Sequence, residues 1–137
     1  MRLFKSSEYA IRCLVYMAAR SSELCSVKRL SDELKIPYKF LGRLMTQLGA
    51  AGIVAAERGK NGGYRIAKPL DTVHVADIVD VVEGLESYDR CILGFDACDE
   101  ANPCALHGFW TGHKEGIVNM MHDVSLAQMI ESGDFRP

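Results

Sequence analysis

Five consecutive turn formers, Gly59-Lys60-Asn61-Gly62-Gly63, stand between two short runs at 53–58 and 64–68 and leave this stretch few ways to fold. Glycine and asparagine accept positive φ at little cost, so such a turn between two runs of strand type predicts a β-hairpin. What precedes the hairpin sets its context. Ser26 suits the N-cap of a short helix that carries Val27, Leu30 and Leu34 on one face. Pro37 suits the first turn of the next helix, where its missing N–H would have no partner, and it pushes Ile36 toward an extended conformation. In that next helix Leu41, Leu44, Met45 and Leu48 form an apolar stripe, with Tyr38, Lys39, Gly42, Arg43 and Thr46 opposite and Gly52 as a natural stop. An earlier helix is predicted over 6–20 from Tyr9, Ala10, Cys13, Leu14, Met17 and Ala18, and 21–25 reads as a loop. Two short helices with a tight break, the second basic on its outer face, then a basic hairpin, make the pattern of a winged helix-turn-helix.

The second half reads differently. Pro69, Leu70 and Asp71 form a linker, followed by a helix marked by Val75, Ile78, Val79 and Val82 that Gly84 can end. From 85 to 103 no periodicity survives, and three cysteines lie there among the turn formers Gly94, Asp96, Asp99 and Asn102. Leu106, Trp110, His113, Ile117 and Met120 then recur at steps of four and three, the spacing of a seam between two helices. Ser125 can cap a last short helix through Leu126, Met129 and Ile130. The predicted fold is mainly α with a small β-hairpin: a winged helix-turn-helix over 1–68, then over 69–137 a cysteine loop and a long C-terminal helix. A chain of 137 residues, 48% hydrophobic and 25% charged, has enough apolar material for a core and excludes both disorder and a large multidomain enzyme.

The net charge of −2 hides a segregation. Residues 1–68 hold 13 Lys and Arg against 5 Asp and Glu, a balance of +8, while 69–137 carry −10. A basic half is the electrostatic footprint of a polyanion binder, and double-stranded DNA is the expected partner. Arg43 is the candidate for base readout, because a guanidinium donates two hydrogen bonds to guanine, and Tyr38 and Lys39 lie beside it near the helix start. Lys39 suits a phosphate. Lys28 on the preceding helix and Arg58, Lys60, Asn61, Gly62 and Gly63 on the hairpin complete the candidate DNA-binding set, the hairpin lying against the sugar-phosphate surface or directing Arg58 into a narrow minor groove. The competing reading is a protein–protein module of the same shape.

No apolar run reaches the roughly eighteen residues that cross a bilayer, so no membrane partner is expected and the chain is read as cytoplasmic. In that reducing setting five cysteines point to ligands, sensors or buried hydrophobes. Cys91, Cys98 and Cys104 are separated by six and five residues, with His107 shortly beyond. Without a CxxC turn this spacing favours an iron–sulfur cluster, 2Fe-2S or 4Fe-4S, over structural zinc. A thiol–disulfide switch without metal is the alternative. A redox carrier or metal-dependent enzyme is a third, although the chain has no HExxH and no nucleophile with a partnered base. Three cysteines leave one ligand position open, for which His107 is the local candidate and Glu8 a distant one. Glu8 also suits an i, i+4 pair with Arg12. Cys13 reads as core, and Cys25 carries no assignment.

Together, Met1-Arg2-Leu3 with Tyr9-Ala10, Leu41 through Leu48 leading to Ala51-Gly52, Arg58-Gly59 with Gly62-Gly63-Tyr64, and Cys91, Cys98, Cys104 and His107 make the chain resemble the Rrf-type winged-helix transcriptional regulators, the IscR- and NsrR-like family. The resemblance covers nearly the whole chain. It implies a DNA-binding regulator, not an enzyme, that forms a homodimer through long C-terminal helices and whose affinity for operator DNA follows an iron–sulfur cluster. Some members use a histidine at the place of His107 as fourth ligand, and others an acidic residue from the partner's first helix, which Glu8 matches. The first cysteine gap is six here and five in those members, and some relatives lack a cluster and sense through thiols.

Overall fold

Helix α1 (Lys5–Ala18) begins on a polar, charged turn and becomes buried on almost every side toward its end, where Cys13, Leu14, Val15, Tyr16, Met17 and Ala18 all lie in the interior. That all-round burial makes α1 the axis of the molecule. A computed structural model of the chain describes residues 2–133 and 136, so Met1 of the opening motif lies outside the described residues.

Helix α2 (Val27–Leu34) starts where expected, with the Ser26 side chain accepting a hydrogen bond from the Arg29 N–H at 3.1 Å. It ends at Lys35, whose φ of 56° makes it the non-glycine residue in the left-handed region among those described. Buried Ile36 fills the break. Pro37 sits one place earlier than its composition suggests, as the N-cap of α3 (Tyr38–Ala50) with ψ of 127°, because its ring holds the preceding chain extended before the helical turn begins. The α3 stripe of Leu41, Leu44, Met45 and Leu48 is buried as the periodicity predicts. Gly52, at φ 74°, donates its N–H to the Gly49 carbonyl while Ile53 donates to Leu48, the paired bonds that finish a helix and release the chain toward a strand.

The hairpin pairs β1 (Val54–Glu57) with β2 (Gly63–Ile66) in antiparallel register, Val54 opposite Ile66 and Glu57 opposite Gly63. The expected loop at 21–25 does more than connect. Cys25 exchanges both backbone hydrogen bonds with Tyr64, at 2.9 and 2.8 Å, and so adds a one-residue third strand to the wing. Gly63 allows that approach, since a Cβ there would stand 2.8 Å from the Cys25 carbonyl carbon and 3.0 Å from the Ser26 nitrogen. A one-residue bridge has no periodic signature, which hides it from sequence.

Beyond a short 3-10 turn (Leu70–Thr72), α4 (Val75–Glu83) is capped reciprocally by His74 and Asp77 and ended by Gly84 at φ 85°. A second 3-10 turn (Leu85–Tyr88) opens the cysteine loop, which leads into α5 (His107–Asp123) and then α6 (Leu126–Glu131), capped by Ser125 and Gln128. Val73, Ile78 and Leu126 join the same buried cluster as Leu14, Leu30 and Leu41, so one core runs through the point where the charge balance reverses.

The α5 seam divides into two faces. Trp110, Ile117 and Met121, with Met121 fully buried, turn toward α4 and the rest of the chain, whereas Leu106, His113 and Met120 are exposed beside Phe109, which is 78% exposed. The predicted stripe follows a 3.5-residue repeat and straddles the boundary between them, since a helix of 3.6 residues per turn gradually departs from such a row. Gly108, Gly112 and Gly116 also lie on exposed positions, with nothing within 4 Å of where a Cβ would stand.

Candidate cysteine cavity and nucleic-acid face

The loop from Asp89 to the start of α5 is fastened at both ends. Lys114 of α5 pairs with Asp89 at 2.6 Å, and the Trp110 indole N–H donates to the Arg90 carbonyl at 3.4 Å. On the other side the Tyr88 hydroxyl accepts from the Phe4 N–H at 3.1 Å and donates to Glu83, whose other oxygen accepts from Ser6 at 2.7 Å. The loop is therefore tied to α5 and to the first turn of α1 together.

Between these anchors Cys91, Cys98, Cys104 and His107 line a single cavity of about 290 Å³, together with Phe95 and Asn102. The donors fall into two couples: the Cys91 and Cys104 sulfurs stand 3.5 Å apart, and the Cys98 sulfur stands 3.4 Å from Nδ1 of His107. His107 opens α5, and its N–H donates to the Cys104 carbonyl, so the helix start fixes the imidazole against the loop. Burial pushes the Cys91 thiol up, but N–H groups of Leu93, Phe95 and Gly94 together with the Cys104 thiol outweigh it and hold Cys91 below the ordinary thiol value. A lowered thiol value favours the thiolate, the form that binds metal and attacks as a nucleophile. Among the described residues no three His, Cys, Asp or Glu side chains converge on a point suited to one metal ion. Three thiols and one imidazole around one cavity are a donor set that would suit an iron–sulfur cluster.

Glu8 is not among the residues lining this cavity. Its carboxylate meets Arg2 at 3.1 Å, Lys5 at 3.2 Å and Arg12 at 3.8 Å, and the Lys5 hydrogen bond leads the contacts that hold it below the usual carboxylate range. Cys13 and Cys25 stand apart from the loop cysteines, and burial raises both thiols, Cys13 to about 12. That environment makes them inert.

Away from this cavity's lining, the outer face of α3 presents Tyr38, Lys39, Arg43, Thr46 and Gln47 to solvent. Gln47 carries no charge or aromatic ring, so only its exposed place on α3 marks it. Arg58, Lys60 and Asn61 are exposed at the wing tip. Gly62 and Gly63 are partly covered, and a Cβ on Gly62 would collide with the Glu57 carbonyl, so both glycines are also required by the hairpin itself. Lys28 is exposed but pairs with Asp32 at 2.8 Å. Lys35, exposed at the turn into α3, was not singled out from sequence; a non-glycine residue in a tight helix–helix break is the signal that marks it.

A family model described as "Iron-dependent Transcriptional regulator", Rrf2, matches residues 3–132. The chain is 30% identical over 124 residues to an HTH-type transcriptional regulator of Aquifex aeolicus (strain VF5), covering 89% of this chain and 86% of that one. It is 27% identical over 135 residues to the HTH-type transcriptional regulator IscR of Yersinia pseudotuberculosis serotype O:1b (strain IP 31758), covering 98% and 82%. Among solved structures, CymR (YrzC), the global cysteine regulator of B. subtilis, superposes with a TM-score of 0.81 at 19% identity, covering 98% of this chain and 99% of that one. IscR of T. potens gives 0.77 at 21% identity over 98% and 89%. These likenesses fix a winged-helix fold, and the relatives are transcriptional regulators, not enzymes. No helix among the described residues is long and apolar enough to cross a membrane. With a family match running almost end to end, the chain belongs to the Rrf2 family of DNA-binding transcriptional regulators.

Proposed function

We propose that the protein is a homodimeric regulator whose hold on operator DNA follows the state of an iron–sulfur cluster held by Cys91, Cys98, Cys104 and His107. The observation that carries this reading is the meeting of three thiols and one imidazole, in two couples, on one cavity. Such a cluster, when bound, supplies a centre sensitive to oxidants and to nitric oxide. His107 takes the fourth ligand position in preference to Glu8 of the partner subunit, because Glu8 is already held by three cations.

The chain's own residues carry the consequence to DNA. The loop pulls on Asp89 and Tyr88, and through them on Lys114 of α5 and on Phe4 and Ser6 at the start of α1. The exposed face of α5, with Leu106, Phe109 and Met120 beside three open glycine positions, is the surface for the partner's α5. A tilt of one protomer against the other then changes the separation of the two α3 helices, which DNA accepts only near whole turns of about 34 Å. Anaerobic purification tests this: brown protein with iron and acid-labile sulfide is expected, and its DNA affinity should change on titration with air or nitric oxide. Colourless protein without iron overturns it.

The 3.5 Å contact between Cys91 and Cys104 favours a second reading, in which these thiols give up two electrons and two protons to an oxidant and close a disulfide. An oxidised form of CymR from Staphylococcus aureus, TM-score 0.78, is among the related structures. In that case the protein holds no iron, and a non-reduced peptide map joins Cys91 to Cys104.

For the DNA face, Arg43→Ala is expected to relax preference at one base pair by about 1 to 3 kcal/mol. Lys60→Ala should weaken all sequences alike and reduce the salt slope by about one. Binding isotherms on single-base-pair substitutions at several salt concentrations separate the two effects. Equal losses on every sequence for both variants remove the assigned roles.

A further inference from the structure

Arg43 does not project from α3 unsupported. Its guanidinium carbon lies 5.7 Å from the ring centre of Phe40, one turn earlier on the same helix, within the distance at which a cation is attracted to an aromatic face. Phe40 is half-buried and is braced from behind by Tyr9 of α1, edge to face, with ring centres 5.5 Å apart and planes at 85°. Tyr9 in turn has the Lys5 ammonium over its ring at 5.1 Å and packs against the main core. The ring facing the guanidinium thus belongs to α3, while the ring that backs it comes from α1.

We infer that Phe40, held by Tyr9, is a positioning residue for base recognition: it orders Arg43 before DNA arrives, so that the bidentate donor pair meets guanine without first losing its rotamer freedom. The inference rests on the reading of Arg43 as the base-reading side chain. A long flexible arginine loses considerable entropy when it is fixed in one geometry, and whatever fixes it in the free protein lowers that cost on binding. The face of Phe40 matters, not its bulk alone. Leucine fills similar space without offering π density, whereas tyrosine and tryptophan keep it.

The test uses the full-length protein and duplexes recovered by wild-type selection from a randomised library, with each base pair of the consensus then substituted in turn. Phe40→Leu is expected to lower discrimination at the base pair read by Arg43 about threefold to fivefold, the size of an exposed cation–π contact, and to leave affinity for unrelated duplex and the salt slope unchanged. Phe40→Tyr should restore discrimination. In an Arg43→Ala background Phe40→Leu should have no further effect on it, whereas a general loosening of α3 would still lower affinity there. Thermal unfolding of each variant, followed by circular dichroism, confirms that the proteins compared are folded at the assay temperature. An Arg43→Ala variant with undiminished discrimination overturns the reading of Arg43 and this inference with it. A clear Arg43→Ala loss with no change in Phe40→Leu, or the same Phe40→Leu loss in both backgrounds, overturns this inference alone.

Discussion

Cys98→Ala is expected to yield folded protein without visible absorption, iron or sulfide after anaerobic purification. Cys98 is only partly buried and belongs to neither core cluster, so truncating it costs little packing. Its removal breaks the couple with His107 and leaves one side of the cavity with the imidazole alone, while the Cys91 and Cys104 couple remains. Cys25→Ala serves as the contrasting variant, because Cys25 lies in the wing with its thiol raised by burial, and it should keep the chromophore. An unchanged visible spectrum in Cys98→Ala would remove Cys98 from the ligand set.

Gly63→Ala should destabilise the fold by about 1 to 3 kcal/mol, the usual range for forcing extra atoms into a packed site. The new methyl meets the Cys25 carbonyl carbon at 2.8 Å, its oxygen at 2.9 Å and the Ser26 nitrogen at 3.0 Å, all of them backbone atoms. No rotamer change relieves such a clash. The chain at Cys25 must withdraw, the two hydrogen bonds with Tyr64 lengthen, and the Ser26 cap of α2 moves with them. Chemical denaturation should therefore show a lower midpoint at an unchanged slope. The wing is displaced as well, so DNA affinity should fall even where the variant is fully folded. A midpoint within error of the parent protein would mean that the wing does not lean on residue 25.

Much of this was legible before any coordinates. The α3 stripe and its ends are local properties: Leu41, Leu44, Met45 and Leu48 carry the period, and Pro37 and Gly52 punctuate it. The gathering of Cys91, Cys98, Cys104 and His107 was legible through residue type and spacing, although their division into two couples depends on how Tyr88 and Lys114 fasten the loop. Other features were not legible because they arise from contacts between distant segments. Cys25 meets Tyr64 across 39 positions by one bridge. Phe40 reads as an ordinary apolar residue until Tyr9 is found behind it and Arg43 before it. On α5 the heptad row is the visible pattern in the sequence, while the inward face is completed by Met121 and by Lys114, whose side chain is only 13% exposed and looks from sequence like a solvent residue.

The buried cluster passes without a break from Leu14 and Leu41 to Val73, Ile78 and Leu126. A fragment ending at 68 would lay bare the apolar surface that those last three residues cover, so the winged-helix half does not stand alone. Heat or denaturant should dissolve both halves in one cooperative step. Enlarging a cavity at Ile78 or Leu126 should then lower the melting point of the DNA-facing helices as much as one at Leu41, because the two halves share a single interior.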